Sequence, residues 1–295
     1  MKKEIFRGVG TALITPFCNG KIDLCSLRML IERQISAGVD CIVIGGTTGE
    51  AATLEDSERY LLFRESRSII EGRCRLMLGT GTNDTRVAML HTEYASRLGC
   101  DGVLLVTPYY NKGTEEGIIR HYKSIAEVSD VPMMLYNVPS RTGVSLSLPI
   151  LEELAKDEKI VAIKEASDSA DRLMALSAMS DQLTLYTGND SQIYTTLSLG
   201  GAGVISVVSN LYPVSTLKIC RSFIAGRREE SLKMQNTLLP VINLLFLETN
   251  PAPVKYALSR MGLCSPEMRL PMWLPTQATR RKIDGALDEN RLLLQ

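Results

Sequence analysis

One lysine stands where a strand should end. Lys164 follows the apolar run Ile160-Val161-Ala162-Ile163 and precedes Glu165. Side chains alternate along a strand, so Lys164 and Ala162 share one face while Ile163 and Glu165 share the other. A water-poor interior disfavours the charged form of an ammonium. A neutral lysine is the nucleophile that imine-forming enzymes use. The same position also suits a lysine paired with a carboxylate, or one that snorkels toward water.

The preceding apolar run, Val131 to Tyr136, ends in a phenol, and the loop Asn137-Val-Pro-Ser-Arg141-Thr-Gly143 follows. On neighbouring strands Tyr136 and Lys164 share a rim, and a phenol there can relay protons. Arg141 offers a planar fork for a carboxylate. Rim packing for Tyr136 and a plain surface charge for Arg141 remain open readings.

Three further segments carry polar or glycine residues after apolar runs. Gly45-Gly-Thr47-Thr48-Gly-Glu50 lets the backbone approach an anion, with hydroxyls beside it. It lacks both the lysine of a P-loop and the spacing of a dinucleotide fingerprint, so a small carboxylate fits better than a nucleotide. A tight strand-to-helix turn is the competing reading. In Val106-Thr-Pro-Tyr109-Tyr110-Asn111, adjacent tyrosines point different ways, and one of them suits a subunit contact. Gly188, with Asn189 and Asp190 after Tyr186-Thr187, fits either a close approach to a ligand or a turn.

These segments need a scaffold, and the chain supplies a repeating one. Eight apolar runs (8–17, 41–44, 75–78, 102–107, 131–136, 160–163, 183–186 and 203–208) alternate with stretches that are apolar at i, i+3 and i+4. Continuous apolar runs mark strands covered on both faces. Asp84 and Thr114 read as helix caps. Eight β-then-α units predict an α/β fold, a (β/α)8 TIM barrel over residues 1–226. Helical patterns at 229–247, 253–261 and 276–294 predict a C-terminal helical extension, 227–295, packed on the barrel. Barrel chemistry lies at the C-terminal ends of the strands, where the segments above fall.

Composition narrows the field. The chain has 295 residues, with 33 basic and 33 acidic side chains, and this balance argues against a nucleic-acid or anionic-membrane binder. Two histidines, His91 and His121, cannot build a His-rich metal site, and both are expected at surface or helix-cap positions. The seven scattered cysteines suggest reduced thiols. With no apolar segment after the N-terminal lysines and no membrane-length apolar window, a cytoplasmic protein is expected.

Taken together, the sequence resembles the pyruvate-dependent class I aldolase family of sialic acid lyases and dihydrodipicolinate synthases, the synthases most closely. The resemblance is carried by Gly45–Glu50, Gly79-Thr-Gly81, Thr107–Asn111, Tyr136–Gly143, Ile163-Lys-Glu-Ala166, Gly203–Ser206, Asn250-Pro-Ala-Pro-Val-Lys255 and Arg269-Leu-Pro-Met272, in order along almost the whole chain. It implies a Schiff base between Lys164 and pyruvate. Tyr136 would shuttle protons in a relay with Thr47 and with Tyr110 of a neighbouring subunit. Thr48 would hold the pyruvate carboxylate, and Arg141 that of L-aspartate 4-semialdehyde. Gly188 and Ile205 would line the pocket. The product implied is 4-hydroxy-tetrahydrodipicolinate, a precursor of lysine and diaminopimelate. No metal or other cofactor is implied, since the imine is the electron sink. A homo-oligomer is implied, at least a dimer and in the family a tetramer.

Members of the family inhibited by lysine hold it at a subunit interface. By position that site is Ala51, Ala52, Asp56, Arg59, Asn83, Val87 and Tyr109. Sensitive members commonly carry Glu at the Val87 position and His at the Asp56 position, so weak or absent inhibition is expected here. Three rivals remain at this stage: a lyase for sialic acid or 2-keto-3-deoxygluconate, a metal-dependent aldolase, and an inactive barrel that senses an amino acid.

Overall fold

A computed structural model describes residues 4–289 of the chain. Eight parallel strands close into a barrel in chain order: β1 (Gly8–Ala12), β2 (Cys41–Ile44), β3 (Arg75–Gly79), β4 (Gly102–Val106), β5 (Met133–Asn137), β6 (Ile160–Glu165), β7 (Thr184–Thr187) and β8 (Gly203–Ser206). The fold is the expected (β/α)8 barrel followed by C-terminal helices. Every residue of β2, β5, β6 and β8 is buried, which accounts for the apolar runs that open them.

Helices start and stop on local signals. Asp23 caps Leu24–Ala37 by accepting from the backbone N–H groups of Cys25 and Ser26, and Gly38 ends that helix at φ 82°. Asp84 does the same for Thr85–Leu98, and Thr114 for Glu115–Val128, both as expected from the sequence.

The chain forms two compact units. One comprises Arg75–Ile205 with residues 4–7, and so holds β3 to β7 and most of β8. The other comprises Gly8–Cys74 and residues 206–289, with β1, β2 and the C-terminal helices. In this second unit the helix Pro213–Ile224 packs on Arg228–Leu245, and the Ser231 hydroxyl donates to the Ile219 carbonyl at 2.7 Å. The last two helices are Ala252–Arg260 and Gln277–Glu289; the expected extension of the final helix to 294 lies outside the described residues.

Two expectations need correction. The first apolar run is not one strand through Phe17. After β1, Phe17–Cys18 pairs with Lys21–Ile22 in a separate hairpin. Asn19 (φ 51°) and Gly20 (φ 75°) form its two-residue turn, because these residues tolerate the left-handed region that such a turn requires. His91 and His121 are also not surface residues. Both are buried on the inner faces of their helices, His121 beside Ile118, Tyr122 and Ile125.

Candidate active site

In the first unit the strand register sets the chemistry. β5 pairs with β6 so that Tyr136 lies opposite Lys164, and Asn137 opposite Glu165. Residue-by-residue alternation places Tyr136 and Lys164 on one face of this strand pair. Lys164 is 6% exposed, and its Nζ lies 3.9 Å from the centroid of the Tyr136 ring. An ammonium at that distance is attracted by the ring face. Tyr136 is held from behind: the backbone N–H and the hydroxyl of Thr107 both donate to its carbonyl, at 3.1 and 3.0 Å.

Gly188 belongs to the same cluster. A Cβ at this position would stand 2.6 Å from Cε of Lys164. Ile205 is fully buried near the end of β8. Arg141 is exposed on the helical turn Pro139–Thr142 that follows β5, and Tyr110 on the loop that follows β4. Tyr110 adopts φ 68° with 83% of its surface exposed, an uncommon backbone state for an aromatic residue. Tyr109 is half-buried, and its carbonyl accepts from Asn83 Nδ2 at 3.4 Å. Val87 is half-buried on the helix Thr85–Leu98.

In the second unit Thr47 and Thr48 share one tight helical turn directly after β2. The Thr48 hydroxyl accepts from Asn250 Nδ2 at 3.0 Å. Glu50, at φ 54°, is buried, and its carboxylate accepts from Lys255 Nζ at 2.5 Å and from the Arg269 backbone N–H at 3.1 Å. Burial pushes the Lys255 ammonium below its ordinary value, and the Glu50 charge opposes that push. Arg269 also grips Glu58 through both guanidinium nitrogens, which anchors the C-terminal segment to the helix Asp56–Ile70. Arg59 is buried and donates to the Ala51 carbonyl at 2.7 Å. Ala52 and Asp56 are exposed nearby in sequence.

The structure thus brings Lys164, Tyr136 and Gly188 together in one unit, and Thr47 with Thr48 in the other. It adds supports to which the sequence reading assigned no role: Asn250 on Thr48, and Lys255 with Arg269 on Glu50. These residues fall in the motifs Asn250–Lys255 and Arg269–Met272, so the motifs were visible although their contacts were not. Among the described residues no group of three His, Cys, Asp or Glu side chains is placed to hold a metal ion.

Comparison with known proteins decides the family. The profile of the Dihydrodipicolinate synthetase family matches residues 5–290. The chain belongs to this family. A 4-hydroxy-tetrahydrodipicolinate synthase of Thermotoga neapolitana is 43% identical over 98% of this chain and all of its own length. One of Clostridium novyi is 42% identical, with 91% of each chain covered. A crystal structure of dihydrodipicolinate synthase from Thermotoga maritima superposes with a TM-score of 0.95 at 39% identity, covering 98% of this chain and all of the other. The family is one of enzymes, and lyases in particular.

Proposed function

We propose that this chain acts as a 4-hydroxy-tetrahydrodipicolinate synthase, condensing pyruvate with L-aspartate 4-semialdehyde through an imine on Lys164. The observation that carries the mechanism is the Lys164–Tyr136 pair: a buried amine 3.9 Å from a phenol ring on the neighbouring strand. The synthase name of the relatives described above supports the substrate pair over a sugar-acid lyase.

The neutral amine of Lys164 adds to the ketone carbon of pyruvate, and water leaves as the imine forms. Tyr136 moves the protons of that exchange, in a relay with Thr47 and with Tyr110 of a neighbouring subunit. Thr48 holds the pyruvate carboxylate. Loss of a proton from the methyl carbon gives an enamine, which attacks the aldehyde carbon of the second substrate. Arg141 receives that substrate's carboxylate with a bidentate fork. The substrate's amino group then attacks the imine carbon, closes the ring and releases Lys164. The imine serves as the electron sink, so no metal or added cofactor has a role. Gly188 and Ile205 shape the pocket walls.

The assembly is at least a dimer, and a tetramer by resemblance. The outward, left-handed Tyr110 supports this reading, since a large aromatic held there suits burial against a second copy. Residues 1–226 serve as the barrel and 227–295 as its helical extension. Seven cysteines outside any disulfide fit a reducing, cytoplasmic setting. No described helix is long and apolar enough to cross a membrane.

Borohydride reduction in the presence of pyruvate, followed by peptide mass mapping, tests the reading. A pyruvate adduct on Lys164 is expected. An adduct elsewhere, or none, would sink the mechanism. Lys164→Ala should fold normally and lose nearly all turnover. Sedimentation at micromolar concentration checks the assembly, and a monomer would overturn the role given to Tyr110.

A further inference from the structure

The residues next to Tyr136 and Lys164 form a second, fully buried cluster on the opposite face of the same strand pair. Glu165 is buried completely. A carboxylate removed from water is tolerated only when its oxygens are well supplied with donors. Asn137 Nδ2 reaches both Glu165 oxygens at 2.9 Å, and the Ser167 backbone N–H donates to one at 2.9 Å. Arg172 Nε donates to the other at 3.2 Å from the helix Ala170–Ser177.

Two of these groups have a further use. Arg172 Nη2 donates to the Leu146 carbonyl at 2.5 Å, and Asn137 Oδ1 accepts from the Leu146 backbone N–H at 3.0 Å. Both backbone groups of Leu146 are therefore held by side chains that also hold Glu165. The segment from 138 to 145, which carries the helical turn Pro139–Thr142, leaves the sheet at Asn137 and is pinned again at Leu146. Arg141 lies within it. A loop pinned at both ends loses most of its freedom before a ligand arrives, which lowers the ordering cost of binding.

We propose that Arg172 is a positioning residue that, through the buried Glu165, fixes the Arg141 loop and so sets the affinity for the carboxylate of the second substrate. This rests on the role given to Arg141 above. Arg172 acts through the loop, so the pyruvate half of the reaction is independent of it.

Steady-state kinetics with both substrates on Arg172→Met, Arg172→Lys and Arg141→Ala decide the matter. For Arg172→Met, the KM for L-aspartate 4-semialdehyde should rise about fivefold or more, with the pyruvate KM within about twofold of the parent. Borohydride trapping of pyruvate on Lys164 should be unaffected. Arg172→Lys keeps the charge but loses the fork, so its effect should be smaller. An unchanged semialdehyde KM in Arg172→Met, with a raised one in Arg141→Ala, would overturn the inference and leave the Arg141 role standing. An unchanged KM in Arg141→Ala would overturn that role itself. Equal rises in both KM values with lost trapping would show that Arg172 serves Lys164 rather than the loop. Should Arg172→Met fail to fold, hydrogen exchange of the backbone amides across residues 138–147 supplies the answer. It should be slow in the parent and faster in Arg172→Lys, and equal rates would refute the tether.

Discussion

Gly188 leaves open the space that the Lys164 side chain occupies. A Cβ on Gly188 would stand 2.6 Å from Lys164 Cε, 2.8 Å from the Ala166 Cβ and 3.3 Å from Lys164 Cγ. Lys164 could swing its tip away, but the Ala166 Cβ cannot move without the backbone. Gly188→Ala should therefore displace Lys164 from the Tyr136 ring. We expect kcat to fall roughly 10- to 100-fold, since misplacement of a reacting group by about 1 Å has that scale of effect. Slower borohydride trapping of pyruvate should accompany the loss. Parental kinetics in a folded Gly188→Ala protein would show that the lysine does not need this space.

Lys255 and Glu50 form an ion pair with side chains 0% and 1% exposed. Removing one partner leaves an uncompensated buried charge, which costs roughly 3–5 kcal/mol. Lys255→Met should lower the melting temperature by roughly 10 °C, given the usual scaling for a chain of this size. Adding Glu50→Gln should restore much of the loss, because the orphaned charge is gone. Calorimetry on the single and double variants checks this, and an equal or larger loss in the double variant would contradict it.

Burial pushes His121 down from 6.5 to about 4, with the Asp84 charge weakly opposing. Its Nδ1 shares a hydrogen bond with the Thr85 hydroxyl at 2.9 Å, and its Nε2 has no partner among the described residues. The unfolded chain takes up this proton near 6.5 and the folded one only near 4. The contribution is therefore complete above about pH 6.5 and declines as pH falls toward 4, by up to about 3 kcal/mol. Urea midpoints of the parent and of His121→Gln should converge as pH falls from 6.5 to 4.5. Parallel midpoints across that range would show that the histidine titrates normally.

By the resemblance, Val87 and Asp56 would stand at positions where lysine-sensitive members of the family commonly carry Glu and His. Valine cannot pair with an ammonium, and Arg59, three residues from Asp56, presents a competing positive charge. Activity should be insensitive to micromolar L-lysine. Half-inhibition in that range in a steady-state assay would contradict this reading.

Much of this was legible along the chain because it is local or periodic. Eight apolar runs with intervening amphipathic stretches determined the barrel, since a parallel strand covered on both faces has little choice of composition. The positions of Lys164 and Tyr136 at successive strand ends followed from the same count. The Asp84 and Thr114 caps rest on neighbours two or three residues away. The extent of β1 was not legible, because an apolar run has no period to mark where a strand stops and a hairpin begins. The histidines were misplaced for a related reason: polar neighbours in sequence do not say which face of the helix a residue takes, and Thr92 beside His91 is itself buried.

Tertiary structure alone decided the contacts between distant residues. Asn250 reaches Thr48 across 202 positions, and Lys255 reaches Glu50 across 205. No sequence spacing encodes such a pair, because its distance is set by how strands and helices pack. The same holds for Gly188, read from the sequence as a ligand approach or a turn and placed by the barrel against Lys164. It holds for Glu165 as well, whose partners come from β5, from its own loop and from the following helix. The sequence by itself determined the candidate reactive groups and the strand ends that carry them. The packed barrel decided which groups hold them in place, because a buried charge or hydroxyl must find its partner wherever the fold puts one.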